Sequence, residues 1–301
     1  MNNYYQILIM NSGNIIHNAF ATSHKDLINK YLANSDVQNK TYFKATFTPR
    51  ENSRLDDVDN YQLIINENYV PEWFHGELAE NIVIDLKIII TSMIIRSYKR
   101  LLLNEGAILI GNAIIDDVKN SIVFGMYDNA KIKTLDDTSR IILMTGSAGV
   151  DVMTDVTIID EMREGASVRQ MLGYSKILSM FEQTRVNSIN DYARIGILKG
   201  SSKINEMHDD SKADRLKHIS SITEMHGHAV IEEMWDWSVV EKMFDQSKIN
   251  YMDEDTKVLE MYGESTINEM HGNAVVERLC ENSLVRKLYN AAQILRNELE
   301  G

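Results

Sequence analysis

The chain has little of what would tie it down covalently or punctuate it. One cysteine, Cys280, stands among 301 residues, so no internal disulfide framework is possible and a reducing compartment is expected. Two prolines leave few enforced breaks. Cations are scarce: 31 Lys and Arg face 44 Asp and Glu, and the net charge of −13 argues against direct binding of nucleic acid, whose phosphates need neutralising. No apolar run is long enough to cross a bilayer, since Asp85, Lys87, Arg96, Lys99 and Arg100 interrupt the most apolar segment, 81–103. The N-terminus lacks a basic stretch ahead of an apolar one, so neither a secretory signal nor a membrane partner is expected, and a cytoplasmic location is.

What is present is a repeat. From Ser121 the chain divides into 20 successive units of nine residues without insertion or deletion, ending at Glu300. The first position is Ser, Ala or Thr in all 20 units, and the third is Ile or Val in 19, Ala213 being the exception. The sixth is Met in 13 and otherwise Leu or Ile until Asn297. Nine residues are two and a half helical turns, which would swing an apolar face through half a circle at each unit. Positions 1 and 3 inward with position 2 outward is strand alternation, and Ile and Val suit strands. The step from 3 to 6 requires a bend, and the Asp, Gly, Asn and Glu of positions 7 to 9 read as a corner. Such units cannot bury their apolar atoms alone and must stack.

The expected fold is therefore mainly β: a parallel β-solenoid with 18 residues per turn and about ten turns over 106–289, since one nine-residue unit is too short to close a coil. Residues 107–120 read as worn repeats, the last missing one residue. Leu288, Ala292, Leu295 and Leu299 follow helical spacing, and 290–301 is expected to be a helical cap. Residues 1–105 form a small α+β head expected to seal the first coil. Within it, 5–10 and 14–20 read as a hairpin, 24–33 as a helix capped by Ser23, and 41–48 and 61–66 as strands. Pro71 is placed at the start of a long helix carrying Trp73 and Phe74.

Pro71-Glu72-Trp73-Phe74, Gly111-Asn112-Ala113, Asn129-Ala130-Lys131-Ile132 and Gly272-Asn273-Ala274-Val275-Val276 carry a resemblance over nearly the whole chain. In these the sequence resembles uncharacterised, often phage-encoded, nonapeptide-repeat β-solenoid proteins. More distantly it is similar to pentapeptide-repeat solenoids, some of which mimic DNA. The resemblance implies an architecture, not an activity, and no functional residues; its phage setting suggests a phage-encoded inhibitor of a host protein as one function to expect.

Enzyme signatures are missing. Gly146-Ser147-Ala148-Gly149 lacks the lysine of a phosphate loop, there is no Gly-x-Ser-x-Gly or His-Glu-x-x-His, and the repeat lacks the paired Gly and the Asp of calcium-binding nonapeptides. No long loop interrupts the repeat to build a cleft, so neither catalytic residues nor a cofactor are expected. Glu206-Met207-His208 and Glu224-Met225-His226 lie 18 residues apart and would bring His208, His226, Glu206 and Glu224 near one another, a weak zinc arrangement that repeat copying explains as well. Between 121 and 300, 30 acids face 20 bases. Late in that stretch Trp235, Trp237, Phe244, Tyr251 and Tyr262 fall on outward positions beside Asp253, Glu254 and Asp255. Aromatic residues on an acidic outer wall suit a protein interface facing a basic partner surface, and homo-oligomers are compatible with it. The leading expectation is a non-enzymatic binding scaffold, extending to DNA mimicry. A structural or adhesive β-helix is the alternative, and a carbohydrate-active β-helix enzyme a third.

Overall fold

The computed structural model describes residues 5–17, 23–51, 53–68, 70–99 and 106–298. From Gly106 onward the chain winds as a parallel β-solenoid of two walls. One sheet of twelve strands begins at Ile94–Ile95 and ends at Leu284–Leu288, and one of eleven runs from Ile114–Lys119 to Gln293–Glu298. We call these wall one and wall two. Consecutive strands alternate between walls, and partners within a wall are 18 residues apart, as Ile158 with Lys176 and Met162 with Met180. At about 4.8 Å per rung, eleven turns make a rod of roughly 50 Å.

Side-chain size explains the section. All 13 methionines at position 6 are fully buried, as are the Ile and Val of position 3 through most of the rod. Ser, Ala and Thr fill position 1 because the chain re-enters the core there with room for little beyond a Cβ. Positions 2, 4, 5 and 7 face outward, yet most are half-buried rather than open, because the equivalent residues one rung above and below lie against them. The worn repeats are the first coil: Ile114–Lys119 pairs with residues 17 positions later, one short of the usual count, and a register shift interrupts the pairing at Ala107/Ile108.

The expected C-terminal helix is not formed over 290–298, and Leu299 lies outside the described residues. Gln293–Glu298 is a strand, parallel to Val275–Cys280 in the regular register. Stacking on the preceding coil overrides the helical spacing of Leu288, Ala292 and Leu295, and Asn297 at position 6 is exposed to water.

The head is an antiparallel sheet ordered Ile15–His17, Tyr5–Met10, Tyr42–Pro49, Tyr61–Ile65, with helices at His24–Tyr31, Asn34–Asn39 and Gly76–Met93. The second strand of the expected hairpin is described only to His17. Ser23 caps the first helix through the Asp26 amide at 3.2 Å, as its sequence indicates. Pro71 does not start the long helix. It opens a turn closed by Phe74 N–H to its carbonyl, so Trp73 and Phe74 precede the helix and pack on Phe43. The head also does not sit over the open end of the first coil. Its core includes Ile108, Ile110 and Tyr127, with Phe124 and Leu143 packed against it, so it clads the outer face of wall one. Residues 94–99 close the end instead: Ile94 and Ile95 pair with Ile108 and Leu109, and the Lys99 N–H reaches the Ile114 carbonyl.

Candidate binding surface

Every unit ends in the same corner. At 16 of the 19 described corners the backbone N–H of position 1 bonds the carbonyl of position 7, as from Ala130 to Tyr127 at 3.1 Å, and position 8 lies between them in the left-handed region. All 19 corners from Asp128 to Asn290 share this conformation, with φ between 50° and 73°. Only Gly adopts it freely, and Asn and Asp tolerate it better than other residues. The corners meet that demand with six Gly, seven Asp, four Glu, one His and one Asn.

The acids there have a second role. The carboxylate at position 8 accepts a hydrogen bond from the N–H of position 8 one coil earlier: Glu164 from Gly146 at 2.7 Å, Asp191 from Gly173 at 2.9 Å, Asp245 from Gly227 at 2.9 Å and Glu254 from Asp236 at 2.6 Å. Where the next coil carries Gly, this bond is not made; the Glu254 amide, below Gly272, turns to Asp253 instead. Eleven of the rod's 30 acidic residues sit at this position. A large part of the acidity is therefore architectural, serving amides that strand pairing leaves without an acceptor.

The two corner columns form opposite edges of the rod. Trp235, Trp237, Asp253, Glu254 and Asp255 fall on the first edge. Tyr251 lies beside them on wall one, its ring 5.2 Å from Trp235 and 4.9 Å from His271. Phe244 and Tyr262 lie half a coil away on the second edge, in a column His208–His226–Phe244–Tyr262 with ring centroids 5.0, 4.8 and 5.3 Å apart. The eight residues expected to form one surface are thus split six to two.

Most of these rings are engaged internally. Positions 5 and 7 flank an inward position 6 and point outward together, so an acid at one bonds a donor at the other. Trp235 donates to Glu233 at 3.1 Å, Tyr262 to Glu260 at 2.9 Å and Tyr251 to Asp253 at 2.6 Å, the last pushing the Tyr251 hydroxyl up to about 12. Trp237 differs. At position 9 it is 61% exposed, and Ile219, one rung earlier in the same column, is 60% exposed. At position 8 His218 lies beside Ile219 and Asp236 beside Trp237, with Glu254 and Asp255 one rung on. Ile219 was not singled out from sequence, although its spacing of 18 from Trp237 pairs them. The second edge carries its own exposed column nearer the head, Val156, Tyr174 and Tyr192, the two tyrosines stacked at 5.1 Å.

The candidate zinc ligands do not converge. His208 and His226 stack face to face, each ring bonded through Nε2 to its own Glu206 or Glu224 at 3.1 and 3.2 Å. Among the described residues the carboxylates that do cluster are Asp136, Asp137 and Asp155. Asp136 is held well below the usual carboxylate range by Lys119 and then Thr154, while Asp155, sharing a hydrogen bond with it, is raised. Burial pushes the Cys280 thiol up, opposite to a nucleophile's need. On wall two, Lys131, Gly149, Arg169, Arg185, Asn187 and Asn205 line a shallow trough of about 530 Å³. No helix among the described residues is long and apolar enough to cross a membrane.

Comparison with protein-family models, with curated proteins and with solved structures gives no match.

Proposed function

We propose that the protein is a non-enzymatic scaffold whose first edge binds another protein with a basic surface. The observation that carries this reading is the Ile219–Trp237 pair, which shows two large apolar side chains to water on adjacent rungs within an acidic surround. Trp is the residue most enriched at energetically dominant interface positions, and surrounding carboxylates speed encounter with a basic partner. A phage-encoded inhibitor of a host protein fits this use of the edge. DNA mimicry supports it less well. The corner carboxylates repeat at about 4.8 Å along one straight edge and skip each Gly, whereas a DNA strand carries a phosphate every ~3.4 Å of helix axis, wound around that axis. The alternative, an adhesive solenoid, rests on the Val156–Tyr174–Tyr192 column.

The test is affinity capture from one lysate on immobilised parent chain and on the Ile219→Ser/Trp237→Ala variant. A protein held by the parent, released by salt and lost from the variant supports the first edge. A protein held equally by both, and lost when Tyr174 and Tyr192 become Ala, transfers the binding role to the second edge.

A further inference from the structure

We propose that the trough on wall two is a binding site for an acidic oligosaccharide, held along the rod over the coils from Lys131 to Arg185. The inference goes beyond the reading given for the first edge and uses none of its residues. Position 2 is where the wall is opened. Down this column Lys131, Gly149, Ser167 and Arg185 stand in register on successive rungs. Gly149 is the only glycine among the 20 residues at position 2. Its backbone does not demand it: φ is not left-handed, and an added Cβ would find its nearest neighbour, the Ser167 hydroxyl, 3.7 Å away. A residue with a side chain would be more stable in a strand. What the glycine supplies is space, and with the small Ser167 it opens a notch two rungs long. The notch belongs to the trough of about 530 Å³, with Lys131 and Arg185 at its ends and Arg169 and Asn187 along its side.

The charges and donors around the notch select its occupant. On the outward positions 2, 4 and 5 of these four coils, four cations meet one acid, Asp151, although the rod as a whole is acidic. Lys133 is taken up by Asp116 at 2.7 Å, and Arg169 lies loosely against Asp151 at 4.0 Å. The exposed Lys131 and Arg185 make no ion pair among the described residues. They stand three rungs apart, about 14 Å at ~4.8 Å per rung. Asn205 donates to the Asn187 Oδ1 at 2.8 Å, which leaves the Asn187 NH2 group free to donate. Hydroxyl and amide groups between two separated cations match a sugar chain whose carboxylates are spaced by neutral, hydroxyl-rich units. Such a chain is extended and advances by about one rung per sugar. A nucleic-acid strand would set about four phosphates over the same ~14 Å, against two unpaired cations on an acidic rod. An extended peptide docks on a sheet by adding to an edge, and these strands already have partners on both sides.

Isothermal titration calorimetry of the full chain tests the proposal. The probes are hexasaccharides in which glucuronate alternates with N-acetylglucosamine or with N-acetylgalactosamine. At least one is expected to bind, and more weakly as salt rises. A neutral N-acetylglucosamine hexamer is expected to bind at least about tenfold more weakly, because it lacks both charge-assisted bonds. Lys131→Ala with Arg185→Ala is expected to raise the dissociation constant of the acidic probe by a similar factor. Gly149→Leu, which fills the notch with an outward side chain, is expected to abolish binding while circular dichroism shows the rod intact. Trp237→Ala, on the first edge, leaves binding unchanged. Failure of both acidic hexasaccharides to bind at millimolar concentration overturns the proposal, as does binding indifferent to both trough variants. Tighter binding of an oligothymidylate or a polyglutamate peptide, lost in the same variants, also overturns it and reassigns the trough to that class.

Discussion

The head and the rod bury apolar side chains by opposite means. In the head Phe43, Phe47, Tyr61, Phe74 and the Ile82–Leu86–Ile90 stripe each fill one particular gap, drawn from strands and helices distant in sequence. In the rod a single cluster runs from Ile95 to Leu279, and beyond the first coil its strand residues meet equivalents 18 positions away. Head contacts are therefore unique and rod contacts interchangeable. Stability along the rod is then close to a sum over neighbouring coils, whereas the head stands or falls as one core.

Met207→Asp breaks that contrast most directly. An unpaired carboxylate among fully buried methionines should cost several kcal/mol, and the damage should stay near its own coils. Calorimetry should show a second, lower transition. Fluorescence of Trp235 and Trp237 should follow it while the head, with Trp73, melts later. One cooperative transition would mean that the rod is not a sum of coils. Gly125→Val strikes the seam between the regions. A Cβ there meets the Tyr127 ring at 2.6 Å and a Leu55 methyl at 3.1 Å, so the head should be pushed off wall one at a cost of about 1–3 kcal/mol. Increased proteolysis of the head with unchanged rod circular dichroism would report it.

Arg54→Ala sharpens the same seam more gently. The Arg54 guanidinium grips Asp128 at 2.9 and 3.1 Å and lies over the Tyr127 ring, and both partners are partly exposed, so about 1 kcal/mol or less is expected. Arg54 first, and the Gly111 amide second, hold the Asp128 carboxyl below its ordinary value. A depressed carboxyl adds stability that is fully present above the usual Asp range and is lost as pH falls through the folded value. The variant should therefore differ from the parent at neutral pH and converge with it in strong acid. Gly149→Ala should have the smallest effect and the opposite sign. The added methyl finds its nearest neighbour at 3.7 Å and φ is not left-handed there, so a gain of about 0.5–1 kcal/mol in the rod is expected by thermal melt, with no change in the head.

The same contrast accounts for what the sequence disclosed. A contact repeated in twenty units writes itself as a period, so the inward positions 1, 3 and 6 and the 18-residue coil were legible before any coordinates. Contacts made once were not. Nothing in Pro71 or Trp73 shows that a turn separates them from the helix, and the head's seat on the side of wall one depends on Phe124, Gly125 and Leu143, which read as ordinary outward positions. At the C-terminus Leu288, Ala292 and Leu295 satisfy a helical pattern and a solenoid register together, and the coil beneath decides. The surface was half legible. Outward aromatics were correctly placed outward, but a linear list cannot show that Phe244 and Tyr262 lie on the opposite edge from Trp237. Nor does composition reveal that the acids beside them are tied to backbone amides. The available signal was position 8, occupied at all 19 corners by residues that suit a left-handed turn or can cap one.

That column of caps has a direction. Where a corner carboxylate caps an amide it reaches back to the coil before it, so the amides of Gly146, Glu164 and Asp236 gain their acceptor only when the following coil has been laid down. Addition at the C-terminal side therefore completes what precedes it, while the newest coil is always the least finished. During synthesis the head and residues 94–99 emerge first and supply a template, and each later coil locks its predecessor as it arrives. Vectorial folding, in the order in which a ribosome delivers the chain, is the expected consequence.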